Sequence, residues 1–152
     1  MVALYADMCH EEMFELLERL HDRYNNTGFI EADPISVPHS FTNPLDREIA
    51  GFMAATIAWG SRRAIVQSSH RMMRYMDNAP ADFVRTATDG DLDYLRTFVH
   101  RTFNGGDFRD FVLSLRHIVT NWGSIGGYFE TKYEESGDLR VVLSEFRRDF
   151  FS

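Results

Sequence analysis

The chain has 152 residues, of which 44% are apolar and 13 are Phe, which is enough for one domain with a core that needs no staples. Its net charge of -7 excludes binding to polyanions through overall charge, and its single cysteine, Cys9, excludes an internal disulfide. No apolar run approaches the roughly 18 residues of a membrane span, and the N-terminus turns charged too early for a secretory leader, so the expected setting is the cytoplasm, with no membrane partner.

Helical periodicity dominates and alternating strand-like runs are nearly absent. The expectation is an all-α, compact bundle of seven to eight short and medium helices in a single domain over residues 1–152. A first amphipathic helix runs from about His10 to Asn25, with Met13, Leu16, Leu17, Leu20 and Tyr24 on one stripe. Residues 26–43 break the pattern with Gly28, Pro34 and Pro38, and their apolar members mark a long loop packed onto the body.

Asn43-Pro44-Leu45-Asp46 then has the form of a helix start: a capping residue, proline at the first helical position and an acid at the third. The stretch that follows, to Trp59, is apolar around nearly its whole circumference, as an enclosed helix is. Gly60 is expected to terminate it and Ser61 to cap the next. That next helix, Arg62 to Met76, has two faces. Ile65, Ser69, Met72, Met73 and Met76 lie on one and are read as core, while Arg63, Gln67, His70, Arg71 and Arg74 lie on the other.

Asn78-Ala79-Pro80 opens a short helix and Thr88-Asp89-Gly90-Asp91 another. Asn104-Gly105-Gly106 is expected to turn, with Asp107 capping a strong helix to Trp122. Gly123 ends that helix, Ser124 caps a further one, and a last helix spans Asp138 to Phe151.

Charge is unevenly spread. From Ile49 to Met76 there are four arginines, Arg62, Arg63, Arg71 and Arg74, and no acid at all. The chain carries 15 Arg against one Lys, and guanidinium forks suit phosphates and aromatic faces. A solvated arginine face paired with acids elsewhere is the plain reading. A nucleic-acid surface is the sharp one, made by Ser61, Arg62, Arg63, Gln67, His70, Arg71 and Arg74. Asp33, His39 and His100 are the residue types that bind a metal or share a proton, but no spacing of the zinc type occurs, and neither a metal nor a cofactor is expected.

Three stretches, "FIEADPISVPHSF" (residues 29–41), "EIAGFMAATIAWGSRR" (48–63) and "FVHRTFNGGDF" (98–108), resemble a bacterial family of conserved hypothetical proteins of unknown function. The likeness marks Asp33, His39, Trp59, His100 and Arg101 as motif positions. It also implies that the chain is the N-terminal portion of a longer protein, whose C-terminal part would pack against it. At a second level, the order of buried helix, tight turn, amphipathic helix, proline step and Gly-rich turn resembles the first half of the helix-hairpin-helix DNA glycosylases of the endonuclease III type. Those proteins carry a DNA-entering Gln after the buried helix, where this chain has Gly60, Ser61 and Arg62. Their hairpin, catalytic aspartate and lyase lysine have no counterpart here, so this chain alone is not expected to excise bases.

Three functions stay open: a nucleic-acid-associated helical module, with DNA as partner of the full-length protein; a helical interaction or structural domain, forming homo-oligomers through exposed apolar faces; and a small-molecule enzyme with a pocket under the 33–41 loop.

Overall fold

The computed structural model describes residues 9–151; residues 1–8, in which no leader was read, and Ser152 lie outside them. Ten α-helices occupy the described residues: α1 (His10–Tyr24), α2 (Thr27–Glu31), α3 (Ser36–His39), α4 (Pro44–Thr56), α5 (Arg62–Tyr75), α6 (Pro80–Thr86), α7 (Asp89–Tyr94), α8 (Gly105–Trp122), α9 (Ile125–Ser136) and α10 (Leu139–Phe150). A 3-10 turn at Leu95–Thr97 leads into a small antiparallel hairpin, β1 (Val99–His100) and β2 (Phe103–Asn104). The described residues are all-α apart from that hairpin and the 3-10 turn.

The helix count exceeds the expected seven to eight because the segment read as a loop, 26–43, carries α2 and α3. Each is too short to display a 3.6-residue repeat. Local bonds build α3: the Asp33 carboxylate accepts from Ile35 N, and the Ser36 hydroxyl donates to the Asp33 carbonyl at 2.6 Å. Val37 is fully buried, and Pro38 lies against Gly51 of α4.

Helix α4 is the enclosed element, with Ile49, Ala50, Met53, Ala54 and the following Ile57 all in the core. It packs on α3, α5 and α6. Asn43 caps it as its sequence promised, accepting from Leu45 N and Asp46 N. Two of its acids in turn hold other helices. Asp46 accepts from Ala81 N in the first turn of α6, and the Glu48 carboxylate accepts from Ile125 N and Gly126 N at the start of α9. At the far end α4 stops at Thr56, three residues before the expected Trp59, and residues 57–61 form an irregular turn.

The buried face of α5 is the predicted one: Ile65, Ser69, Met72 and Met73, with Met76 following. For α8 the cap is Asn104, not Asp107. The Asn104 side chain accepts from Gly106 N and Asp107 N, and Asp107 returns a bond to Asn104 N, so Gly105 and Gly106 are helical. A Cβ at Gly105 would lie 2.4 Å from the Arg96 backbone, and that close approach packs α8 on the 3-10 turn.

Phe52, Phe111, Tyr128, Phe129, Phe146 and Phe150 interlock where α4, α8, α9 and α10 meet. There the Tyr128 hydroxyl donates to Asp149 at 2.8 Å. Burial, then Asp149, pushes the Tyr128 phenol up. Burial works against the Asp149 charge, but hydrogen bonds from Tyr128 and Arg148 outweigh it and hold that carboxyl below its usual value.

Candidate functional site

The three motif stretches, the third of them distant in sequence from the other two, meet at the turn between α4 and α5. The turn itself supplies Trp59, Gly60 and Ser61. Because α4 ends early, Trp59 leaves the helix axis and stays 39% exposed. Gly60 sits at φ +118°, a backbone that side-chain-bearing residues rarely adopt. Ser61 caps α5 by accepting from Ala64 N.

The hairpin comes up beside this turn. Its two-residue loop starts at Arg101, held at φ 54°, a left-handed conformation that costs a non-glycine residue roughly 1–2 kcal/mol. The Arg101 guanidinium lies across Gly60, where a Cβ would stand 2.9 Å from Nη1. His100 beside it is buried, only 5% exposed. Its Nδ1 is 2.8 Å from Ser68 Oγ and its Nε2 3.3 Å from the Trp59 carbonyl oxygen, while its ring meets the Trp59 indole edge-on at 6.0 Å. One imidazole thus ties α5, the turn and the hairpin together.

From the first motif, Asp33 reaches Arg62, 3.7 Å from its Nε, and the Arg62 guanidinium covers the Phe29 ring at 5.5 Å. Arg71 is fixed as well: it donates to the Val99 carbonyl and its Cζ lies 4.7 Å from the Phe98 ring centre. Gln67, Ser68, His70, Arg71 and Arg74 line an open groove of about 650 Å³ along α5.

The sequence candidates therefore divide. Trp59, Ser61, Arg62, Asp33, His100 and Arg101 gather at the turn, and Gln67, His70, Arg71 and Arg74 share the groove. Arg63 lies exposed in the first turn of α5. His39 is exposed at the end of α3 and its side chain makes no hydrogen bond among the described residues. No hydrogen bond joins any two of Asp33, His39 and His100 there, and no group of three or more His, Cys, Asp or Glu among the described residues is placed to hold a metal ion.

Sequence reasoning missed Ser68, Phe98 and Val99. Ser68 and His100 are 32 positions apart with no spacing rule linking them. The one available hint was that "FVHRTF" shares a motif with the Gly-rich turn.

The electrostatics separate the two readings of the arginine face. Among the described residues, Arg63, Arg71, Arg74 and Arg101 form no ion pair, and Arg62 alone has a carboxylate partner, Asp33. Apart from Asp33, no acid among the described residues forms an ion pair with this face.

Residues 33–152 match the family model described as "Protein of unknown function (DUF2400)". No curated protein and no solved structure matches the chain significantly.

Proposed function

We infer, for a chain that belongs to this family of unknown function (DUF2400), that the α4–α5 turn and the outer face of α5 form a polyanion-binding surface whose natural partner is nucleic acid. The observation that carries it is the set of arginines without a carboxylate partner among the described residues, Arg63, Arg71, Arg74 and Arg101, in a stretch of surface that also bears the exposed Trp59. Unpaired guanidinium groups keep their full charge for phosphates and release counterions when they meet them. Phosphate contacts of this kind position a nucleic acid without reading its sequence. Residues 49–76 carry +4 of a net -7, which leaves -11 on the rest of the chain, and this asymmetry orients an incoming polyanion toward the arginine face.

The test is a titration of a fluorescein-labelled oligonucleotide, duplex and single-stranded, with the full-length protein at several salt concentrations. Affinity falls steeply with salt, and Arg63→Ala with Arg74→Ala lowers the log–log slope by about one per residue removed. Salt-independent or undetectable binding overturns the reading.

A further inference from the structure

The geometry points to a nucleophile and base pair, Ser68 and His100, that opens on the arginine groove and cleaves phosphate esters. The Trp59 carbonyl oxygen only accepts, so in its neutral form the His100 ring bonded to it carries its hydrogen on Nε2. Nδ1 is then an acceptor, and the Ser68 hydroxyl at 2.8 Å must be the donor. This is the arrangement that activates a serine: hydroxyl to imidazole, imidazole oriented by a third group on its far nitrogen.

The bond is not the habitual one for a helical hydroxyl. Thr56 on α4 donates back to the Phe52 carbonyl one turn earlier. Ser68, in mid-α5, turns its hydrogen to the imidazole instead. The base is buried while the nucleophile is half-buried and lines the groove, so a substrate in the groove reaches Ser68. Arg71 lies one helical turn on, on the same side of the helix, and lines the groove as well. Its anchoring to Val99 and Phe98 makes it a pre-set positive group, and a fixed charge stabilises developing negative charge without reorganising. A groove lined by Arg71 and Arg74, and by no carboxylate among the described residues, selects an anionic ester, hence a phosphate ester.

In the reaction, Ser68 Oγ attacks phosphorus and its proton passes to His100 Nδ1. The bond from phosphorus to the alcohol oxygen breaks, and that oxygen takes the proton from Nδ1. Water then attacks the phosphoseryl phosphorus, giving its proton to Nδ1, and Ser68 Oγ leaves with that proton. Ester and water become alcohol and phosphate.

An alkyl fluorophosphonate tests the pair without a nucleic-acid chain, so this result and that of the polyanion reading are separate. Ser68 Oγ displaces fluoride and mass spectrometry locates the adduct. Modification at Ser68 is expected, absent in Ser68→Ala and slowed about a hundredfold or more in His100→Gln. No adduct, an adduct on another serine, or an equal rate in His100→Gln overturns the pair. Nitrogen-15 chemical shifts of His100 give the tautomer with no substitution at all. Hydrogen on Nε2 and none on Nδ1 is expected, and the opposite tautomer overturns the assignment. For the substrate class, bis(4-nitrophenyl) phosphate releases nitrophenol and inorganic phosphate inhibits that release; no release from it, or release from 4-nitrophenyl acetate alone, overturns the class.

Discussion

Replacing Gly60 with alanine isolates what holds the turn in place. The φ of +118° lies outside the regions open to side-chain-bearing residues, and such a backbone costs on the order of 1–3 kcal/mol. The added Cβ would also meet Arg101 Nη1 at 2.9 Å, but that atom ends a flexible, exposed side chain that swings away cheaply. The expected loss is therefore about 2 kcal/mol, nearly all from the backbone, and for a domain of this size that lowers Tm by roughly 4–8 °C. Urea and thermal denaturation of wild type, Gly60→Ala, Arg101→Ala and the double variant measure it as a cycle. The two substitutions should couple by less than about 0.5 kcal/mol, while oligonucleotide affinity falls in both singles. A Gly60→Ala protein as stable as wild type, or a penalty that vanishes when Arg101 is absent, would refute the backbone argument.

Other perturbations address the frame around the site. Glu48→Ala strips the acceptor from Ile125 N and Gly126 N; one N–H is partly buried and the other reaches water, so a loss of about 2 kcal/mol in urea denaturation is expected, and a change under about 0.5 kcal/mol would contradict it. The Asp149 carboxyl is lowered in the fold, so its stabilisation is present above the ordinary value of 3.8 and lost as pH falls through the lower folded value. Asp149→Asn is accordingly less stable at neutral pH, and its deficit shrinks below pH 3.8; a pH-independent deficit would refute the linkage. Tyr128 is raised, so its contribution is intact below its ordinary value of 10.0 and is lost as pH rises toward the higher folded value. Tyr128→Phe removes that alkaline limb, which pH-resolved unfolding detects.

The parts of this molecule that sequence makes legible are those written as repeats over three or more turns. Helix α5 is the clearest case, since its buried face (Ile65, Ser69, Met72, Met73) and its arginine face both follow from one 3.6-residue spacing. What escaped is short or non-local. Helices α2 and α3 have too few residues to show a period, and the hairpin turns on an arginine at positive φ where sequence rules look for Asn or Gly. The end of α4 at Thr56 depends on packing that no local signal records. Charge was legible as a count and not as a pattern of partners. Nothing in the linear chain says that Asp33 takes Arg62 while Arg63, Arg74 and Arg101 form no ion pair among the described residues.

The chain writes Trp-Gly-Ser twice, at 59–61 and 122–124, and the two copies show why a motif has to be judged by its surroundings. In both, glycine takes a positive φ and serine caps the next helix. At the second copy, Trp122 stacks edge-on with Tyr128 at 4.8 Å, and Glu48 already occupies Ile125 N and Gly126 N at the start of α9. The chain's own carboxylate fills the place an external anion would take. At the first copy Ser61 gives α5 a neutral cap, no carboxylate accepts from its first-turn N–H groups among the described residues, and Arg62, Arg63 and Arg101 stand around it. The difference lies in Glu48, an acid that folding delivers to one helix start and withholds from the other. The polyanion surface proposed above therefore begins at the copy whose cap is neutral, residues 59–63, and not at 122–126, where Glu48 already occupies the first N–H groups.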